Sequence, residues 1–270
     1  MLEYEFMVNA FTAAGIVAVV AGLVGYCLVL RGQTFAGHAL AHVGFSGATG
    51  AALLGLPPLG GMILFTLGAG VGMGALGERL AGRDVAIGIV LSLAMGFGLL
   101  FSRFFSSYAI PITALLFGNV LGVDRATLLA LAVLGGVSLL ALAAIARPLL
   151  FATLQPELAE ARGVPLRGVS IMFLAIVSFT VAAATQIVGV LLVFTLMVAP
   201  AATAQNLSTR LHRGLLYAAV VALFESWLGI TLAYYTDWPV SFWITALGAL
   251  CFVLSLLVLQ WRRGAGRRGS

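Results

Sequence analysis

The sequence contains no lysine and little charge of any kind. All 14 basic residues are arginines, acidic residues number 9, and charged residues make up 9% of the 270. A soluble domain carries about a quarter charged residues, so the composition excludes a water-soluble enzyme, a nucleic-acid-binding module and a disordered chain. Without lysine this sequence also has no Walker A phosphate loop and no Schiff-base nucleophile. Any use of ATP would therefore need another protein chain.

Cysteine is scarce too, because Cys27 and Cys251 are the only two and lie far apart in apolar stretches. They are interpreted as small core side chains rather than a disulfide framework. What the chain does have is apolar sequence, since hydrophobic residues account for 62% of it. At about 20 apolar residues per bilayer crossing, this length favours a polytopic membrane protein.

We predict a single all-α domain over 1–270, a polytopic transmembrane bundle of eight or nine spans. The segment 110–123 is too short to cross and too apolar for water, so it is predicted to be re-entrant or to lie along the surface. The boundary near Thr185 and Gln186 is the weakest, because 169–206 could bend there instead of turning. The candidate spans are 10–30, 36–56, 59–77, 85–105, 126–146, 169–184, 187–206, 214–235 and 240–260.

Arginine placement predicts the orientation, because short loops rich in arginine stay cytoplasmic. This places the amino terminus outside and the carboxyl terminus in the cytoplasm. Arg103 and Arg125 are exceptions, near the opposite face. The arginines that share the predicted cytoplasmic side are Arg31, Arg79, Arg83, Arg147, Arg162, Arg167, Arg210, Arg213, Arg262, Arg263, Arg267 and Arg268.

The third span contains two interleaved small-xxx-small pairs, formed by Gly68, Gly70, Gly72 and Gly74. Such pairs let helix backbones approach closely within a membrane. Packing inside the chain is the favoured interpretation, and a subunit interface is the alternative.

Two histidines lie in the second span, in the string GHALAH at 37–42. Their i, i+4 spacing puts His38 and His42 on one helix face. His42 is eleven residues beyond Arg31, about 16 Å along a helix, near the middle of a hydrocarbon core of about 30 Å. Ionisable groups at this depth usually face an interior pathway, and two imidazoles supply half of a tetrahedral metal site. The alternative is that each histidine only bonds a neighbouring helix.

Glu225 is the only acidic residue well inside a predicted span. A buried carboxylate could bind a proton or cation, or it could pair with an arginine such as Arg103. We favour a structural or gating pair over direct metal contact.

The longest polar interruption is the segment 147–168, RPLLFATLQPELAEARGVPLRG. Within it, PELAEARG predicts a short helix with Glu157 in its first turn and Gly163 as its C-cap. A plain connector would have this pattern, and so would a docking element for a soluble subunit.

Three stretches of the chain resemble the membrane permease of bacterial ATP-binding-cassette importers for zinc, manganese and iron, the type-3 metal permease family. They are RGQTFAGHALAHVGFSGA at 31–48, PELAEARGVPLRGV at 156–169, and IVGVLLVFTLMVAPAATAQNLS at 187–208. The third stretch, with its Pro-Ala-Ala-Thr-Ala ending, is the most specific. The likeness extends over essentially the whole chain.

The resemblance implies a permease of the bacterial inner membrane that is not itself an enzyme. In the family's pattern the metal pair falls on His38 and His42, where His38 stands in place of a frequent aspartate. Imidazole in place of carboxylate shifts preference from manganese toward zinc or another borderline metal. Zinc is the expected cargo, with no permanently bound cofactor. The implied docking residues for the ATPase are Gln155, Pro156, Glu157, Ala161 and Gly163.

The resemblance also implies the partners. A second permease copy would complete the pathway, two cytoplasmic ATP-binding subunits would dock on residues 151–163 of the 147–168 segment, and an extracytoplasmic protein would deliver the metal. Membrane lipid surrounds the chain, and no nucleic acid is expected. A proton-coupled secondary transporter that uses Glu225 is the alternative hypothesis. An intramembrane metalloprotease is disfavoured because no glutamate base accompanies the histidines.

Overall fold

The computed structural model describes residues 3–76, 82–104 and 112–267. Within these ranges the chain forms helices and turns and contains no strand. A 3₁₀ turn, Val120–Gly122, follows the fifth helix. The α-helices are α1 (Glu5–Leu30), α2 (Thr34–Leu53), α3 (Pro58–Ala75), α4 (Arg83–Arg103), α5 (Ile112–Phe117), α6 (Arg125–Leu154), α7 (Pro156–Ala161), α8 (Leu166–Val188), α9 (Val190–Leu207), α10 (Leu211–Thr236) and α11 (Val240–Arg267).

The number of membrane crossings agrees with the sequence. Eight of the described helices are long and apolar enough to span a bilayer. The 20-residue α2 is less apolar because it carries two histidines and several glycines, yet most of its residues are buried in the bundle. The predicted all-α class with eight or nine spans is thus confirmed. That the amino terminus lies outside stays a prediction.

The interior is built around α1, α2 and α8. Small and β-branched residues such as Ala18, Val24 and Ala184 are fully buried there. In contrast, α4 and α11 expose large apolar side chains, including Leu93 and Leu257. Because lipid is as apolar as these side chains, the outer helices need no polar face, and burial is concentrated in the three inner helices.

Glycines allow α3 to touch α2 and α8 backbone to backbone. A Cβ atom added to Gly47 of α2 or Gly61 of α3 would overlap the carbonyl oxygen of the other residue. Gly70 and Gly74 of α3 meet α8 in the same way, whereas Gly68 has open space around it. One of the two predicted small-xxx-small pairs therefore packs inside the chain, as expected.

The boundary that the sequence left uncertain, near Thr185 and Gln186, is a single residue between α8 and α9. Gly189, at φ 79° and ψ 164°, separates α8 from α9, a backbone conformation that suits only glycine. The backbone of Gly118, just after α5, presses against Gly189 so closely that a Cβ on either would overlap the other segment. The short segment after residue 112 thus lies across the end of the α8–α9 pair and does not cross the membrane.

Polar contacts tie the helix ends together. At one end, Arg125 at the start of α6 pairs with Glu5 at the start of α1, with Nη2 to Oε1 at 2.7 Å. Asp124 caps the same helix end by accepting from the Thr127 amide at 2.9 Å, and its hydrogen bonds with Thr127 lower the pKa of its carboxyl. Arg125, an exception to the arginine pattern, therefore has an acidic partner on its own face.

At the other end, Arg31 joins the α1–α2 turn to α6. Its Nη1 donates to Thr153 Oγ1 at 2.9 Å, and the guanidinium lies 5.5 Å from the centre of the Phe173 ring. Burial lowers the pKa of Arg31 to about 10, and the charge of Arg83 acts in the same direction. The group stays cationic at neutral pH and anchors the entry of α2 to the last turn of α6.

The segment 147–168 is less of a loop than its polarity suggested. The helix α6 continues through Pro148 to Leu154, so the first eight residues of the segment are helical. Arg147 alone interrupts an otherwise apolar stretch there, and a long apolar helix tolerates one proline. Within this segment, only residues 155–165 lie outside the long helices α6 and α8.

Candidate functional site

The site is organised by α2, which packs against α3, α4, α8 and α9. A side-chain hydrogen bond and a backbone contact hold this helix against its neighbours. Ser46 Oγ donates to the Ala94 carbonyl of α4, and Gly47 brings α3 into backbone contact. These contacts determine which way the face of α2 with the two histidines is turned.

The two imidazoles contact each other, as their spacing predicts. The ring centres of His38 and His42 are 4.9 Å apart with planes at 80°. Phe194 of α9 lies edge-on to His38, at 5.1 Å between ring centres. His42 is 9% exposed and His38 is half-buried. The pair therefore sits between α2 and α9, with His38 nearer to open space.

No hydrogen bond within the described part of the chain holds either imidazole. The Nδ1 atom of His38 is buried and has no partner. This argues against histidines whose role is only to bond neighbouring helices, since buried polar atoms are ordinarily paired. Ring nitrogens without hydrogen-bond partners keep their lone pairs free for a metal ion.

The described part of one chain does not provide a complete metal site. The described residues contain no group of three or more histidine, cysteine, aspartate or glutamate side chains that could hold an ion. A transition metal commonly takes four ligands, so the two imidazoles alone would leave its coordination incomplete.

The roles of two residues near the histidine pair could not be predicted from the sequence. Phe194 belongs to an apolar run in which no feature distinguishes it from other membrane-facing residues. Ser46, one turn beyond His42, is a polar residue in the second span, but its bond to α4 depends on a contact between helices. Helical spacing gives the face of α2 and does not reveal what packs on that face.

Glu225 does not pair with Arg103, which corrects the sequence-based suggestion. The carboxyl group is fully buried on α10, and neither of its oxygens has a hydrogen-bond partner. Gly248 of α11 leaves the space it occupies, because a Cβ there would lie 3.2 Å from Oε2. Arg103 is exposed at the end of α4, a helix that packs on α2 rather than on α10.

The predicted short helix is present as α7. Gly163 adopts φ 78° and its amide donates to the Glu160 carbonyl at 2.9 Å, so this residue terminates the helix as expected. Pro156 occupies the first turn, where a missing amide hydrogen costs nothing. All the residues predicted to dock an ATPase are exposed: Gln155, Pro156, Glu157, Ala161 and Gly163.

Comparison with known proteins gives a consistent result. Residues 3–259 match the model of the ABC 3 transport family. The manganese transport system membrane protein MntC of Halalkalibacterium halodurans is 30% identical over 85% of this chain and 79% of its own length. A probable iron transport system membrane protein of Haemophilus influenzae is 30% identical over 94% of both chains.

A solved structure has the same architecture. PsaBC from Streptococcus pneumoniae in complex with Fab superposes with a TM-score of 0.84 at 26% identity, over 94% of this chain and 92% of that one. The fold and these matches agree with one another. The chain belongs to the ABC 3 transport family and is a membrane permease subunit of a bacterial metal ABC importer, located in the inner membrane.

Proposed function

We propose that this permease carries a divalent transition metal along a path on which His38 and His42 are the ligands. The observation that supports this most directly is the pair of contacting imidazoles on an interior helix, with no hydrogen bond to hold them. Neutral imidazole is the commonest protein ligand for such metals, and the chain would work as one permease domain over 1–270.

Two copies of the chain would complete the site. Each copy contributes two imidazoles, and four nitrogen donors satisfy a tetrahedral ion. A divalent cation moving inward gains about 4–5 kcal/mol per 100 mV of membrane potential, so a permanently open pore would dissipate the ion gradient. The path must therefore be exposed to one side at a time. A site that binds too tightly would not release its ion, so exposure and release must be coupled.

Zinc is the proposed cargo, although relatives are named for manganese and iron. Manganese is a harder ion that prefers carboxylate and water, whereas imidazole suits zinc. The chain has imidazoles at both positions of the pair. Among the described residues, no carboxylate joins the two histidines in a group that could hold a metal ion.

Replacing His38 with aspartate tests this choice of metal. We expect the unaltered importer to take up zinc in preference to manganese, and His38→Asp to move the zinc-to-manganese uptake ratio toward manganese by about tenfold, or 1.4 kcal/mol. The measurement is uptake of each metal in competition by the reconstituted assembly. An unaltered assembly that neither binds nor transports zinc would reject zinc as cargo, and an assembly that binds no divalent metal would reject the proposed function.

The exposed α7 and its flanks would dock the ATP-binding subunits, and an extracytoplasmic protein would deliver the metal. Leu154 and Leu158 add exposed apolar surface beside the polar docking residues. Arg31 links this region to the histidines, since it bonds Thr153 of α6 and lies in the turn that begins α2. A displacement of α7 would therefore reach α2 through a short, rigid connection.

A charge placed on α7 should weaken docking. We expect Ala161→Arg to lower the amount of co-purified ATP-binding subunit by about tenfold, because a bulky cation would occupy an exposed contact position. Ala126→Arg is the matched control, since Ala126 is equally exposed in the first turn of α6, at the opposite end of the bundle. Equal co-purification of both variants would argue against docking at α7.

Membership of an ABC transport family removes the main support for a secondary transporter coupled through Glu225. The buried carboxyl instead fits a structural or gating role, as its position between α9, α10 and α11 suggests.

A further inference from the structure

A groove of about 570 Å³ opens on the outside of the bundle between α1, α6 and α10. Its volume is in the range of small-molecule sites in proteins, about 300–1,000 Å³. Glycines on two helices make it deep: Gly15 on α1, and Gly135 and Gly136 on α6. This surface has no part in the metal path or in the docking helix.

The surface that lines the groove is almost entirely apolar. Thr12 and Trp227 are the polar side chains among its lining residues, and both already donate their hydrogens to α1 carbonyls. Thr12 Oγ1 bonds the Val8 oxygen at 2.7 Å, and Trp227 Nε1 bonds the Phe11 oxygen at 3.0 Å. An occupant that fills this space must therefore be apolar.

A charged pair lies at the amino-terminal ends of α1 and α6, on the helix faces that line the groove. Thr12 and Ile16 follow Glu5 by two and three helical turns, and Gly136 follows Arg125 by three turns. The Glu5–Arg125 pair, whose side chains are 69% and 81% exposed, thus lies in line with the groove. Gly136 is about 16 Å below Arg125 along α6, which is about the depth of one leaflet.

A phospholipid has this combination of chemistry and length. We propose that the groove binds one acyl chain of phosphatidylethanolamine, whose phosphate contacts Arg125 and whose ammonium group contacts Glu5. Both charges of the zwitterionic head group then meet an opposite charge, and the exposed ion pair leaves room for them. The acyl chain covers the glycines that make the helix surface concave.

A second copy of the chain is a poorer occupant. The histidines of α2 face α9, and α2 packs on α3, α4, α8 and α9 rather than on α6 or α10. A copy that completes the metal site would approach that side, which leaves the groove to lipid; this one step rests on the proposed function.

Filling the groove tests the proposal. A Cβ on Gly136 would meet no atom within 4 Å, so Gly136→Leu should fold and occupy the space of the acyl chain. Gly96→Leu on the exposed helix α4 is the matched control, since a Cβ there also meets nothing. We expect the assembly purified in mild detergent to retain about one phosphatidylethanolamine per permease chain by native mass spectrometry, and Gly136→Leu to lower this retention about tenfold, with Gly96→Leu unchanged.

The head-group contact needs a separate measurement. After reconstitution in vesicles of equal phosphatidylethanolamine and phosphatidylglycerol, the unaltered chain should be enriched in the former. Glu5→Gln should lose that enrichment, because both lipids carry a phosphate and only phosphatidylethanolamine carries the ammonium group that Glu5 contacts. Equal retention by Gly136→Leu and the unaltered chain would overturn the proposal. So would disulfide cross-linking of two copies through Gly136→Cys in a Cys251→Ala background. None of these readouts uses metal, so they stand whether or not the histidines carry the ion.

Discussion

Metal uptake is expected to fall to background when His38 and His42 are both replaced by alanine. The described residues contain no cluster of three or more metal ligands that could take their place. Because loss of groups that merely orient a ligand typically costs 10–100-fold in affinity, loss of the ligands themselves should cost more than about 100-fold. The measurement is accumulation of zinc and manganese by the reconstituted importer with ATP.

The third histidine provides the control. His212 is exposed near the start of α10, far from the pair in sequence, and His212→Ala should leave uptake unchanged. Because alanine leaves a void beside Phe194, the His38→Gln and His42→Gln double variant should be tested as well, since it keeps more side-chain volume. Co-purification of the ATP-binding subunits verifies assembly, and uptake at the unaltered rate by assembled double variants would contradict the metal path.

The positions of the spans could be predicted from the sequence because hydropathy reports which segments leave water. The ends of the helices could not. The fifth predicted span was 126–146, whereas α6 extends from Arg125 to Leu154. A single arginine near a membrane surface is compatible with a continuing helix, since its long side chain can reach the interface. Hydropathy marks where the membrane ends and not where the helix does.

The candidate site was predictable to the extent that it depends on one helix. Spacing alone places His38 and His42 on one face of α2 and in contact, and the glycine at 163 correctly marks the end of α7. Contacts between helices were not predictable. Glu225 lies against Gly248, a residue without charge, and not beside Arg103. A buried carboxyl can be accommodated by the space that a glycine leaves. Searching the sequence for an arginine to pair with the carboxylate does not reveal that space.

Stability should depend on a glycine at which α1 and α9 meet. A Cβ on Gly25 of α1 would overlap the carbonyl oxygen of Met197 on α9. Backbone atoms cannot rotate away, so the helices must separate, and Gly25→Ala is expected to destabilise the fold by about 1–3 kcal/mol. The matched control is Gly68→Ala, where a Cβ meets nothing within 4 Å. Both changes gain the same helix propensity, about 1 kcal/mol, so the difference between them reports packing alone.

Thermal unfolding in detergent measures this difference, with Gly25→Ala expected to unfold at a lower temperature and Gly68→Ala at an equal or higher one. Equal shifts would mean that α1 and α9 tolerate separation. The effect should also reach function, because Met197 is one turn from Phe194, which packs on His38. Displacing α9 changes the wall of the histidine site, so Gly25→Ala should reduce metal uptake even in the fraction that remains folded and assembled. Full uptake by that fraction would show that α9 does not shape the site.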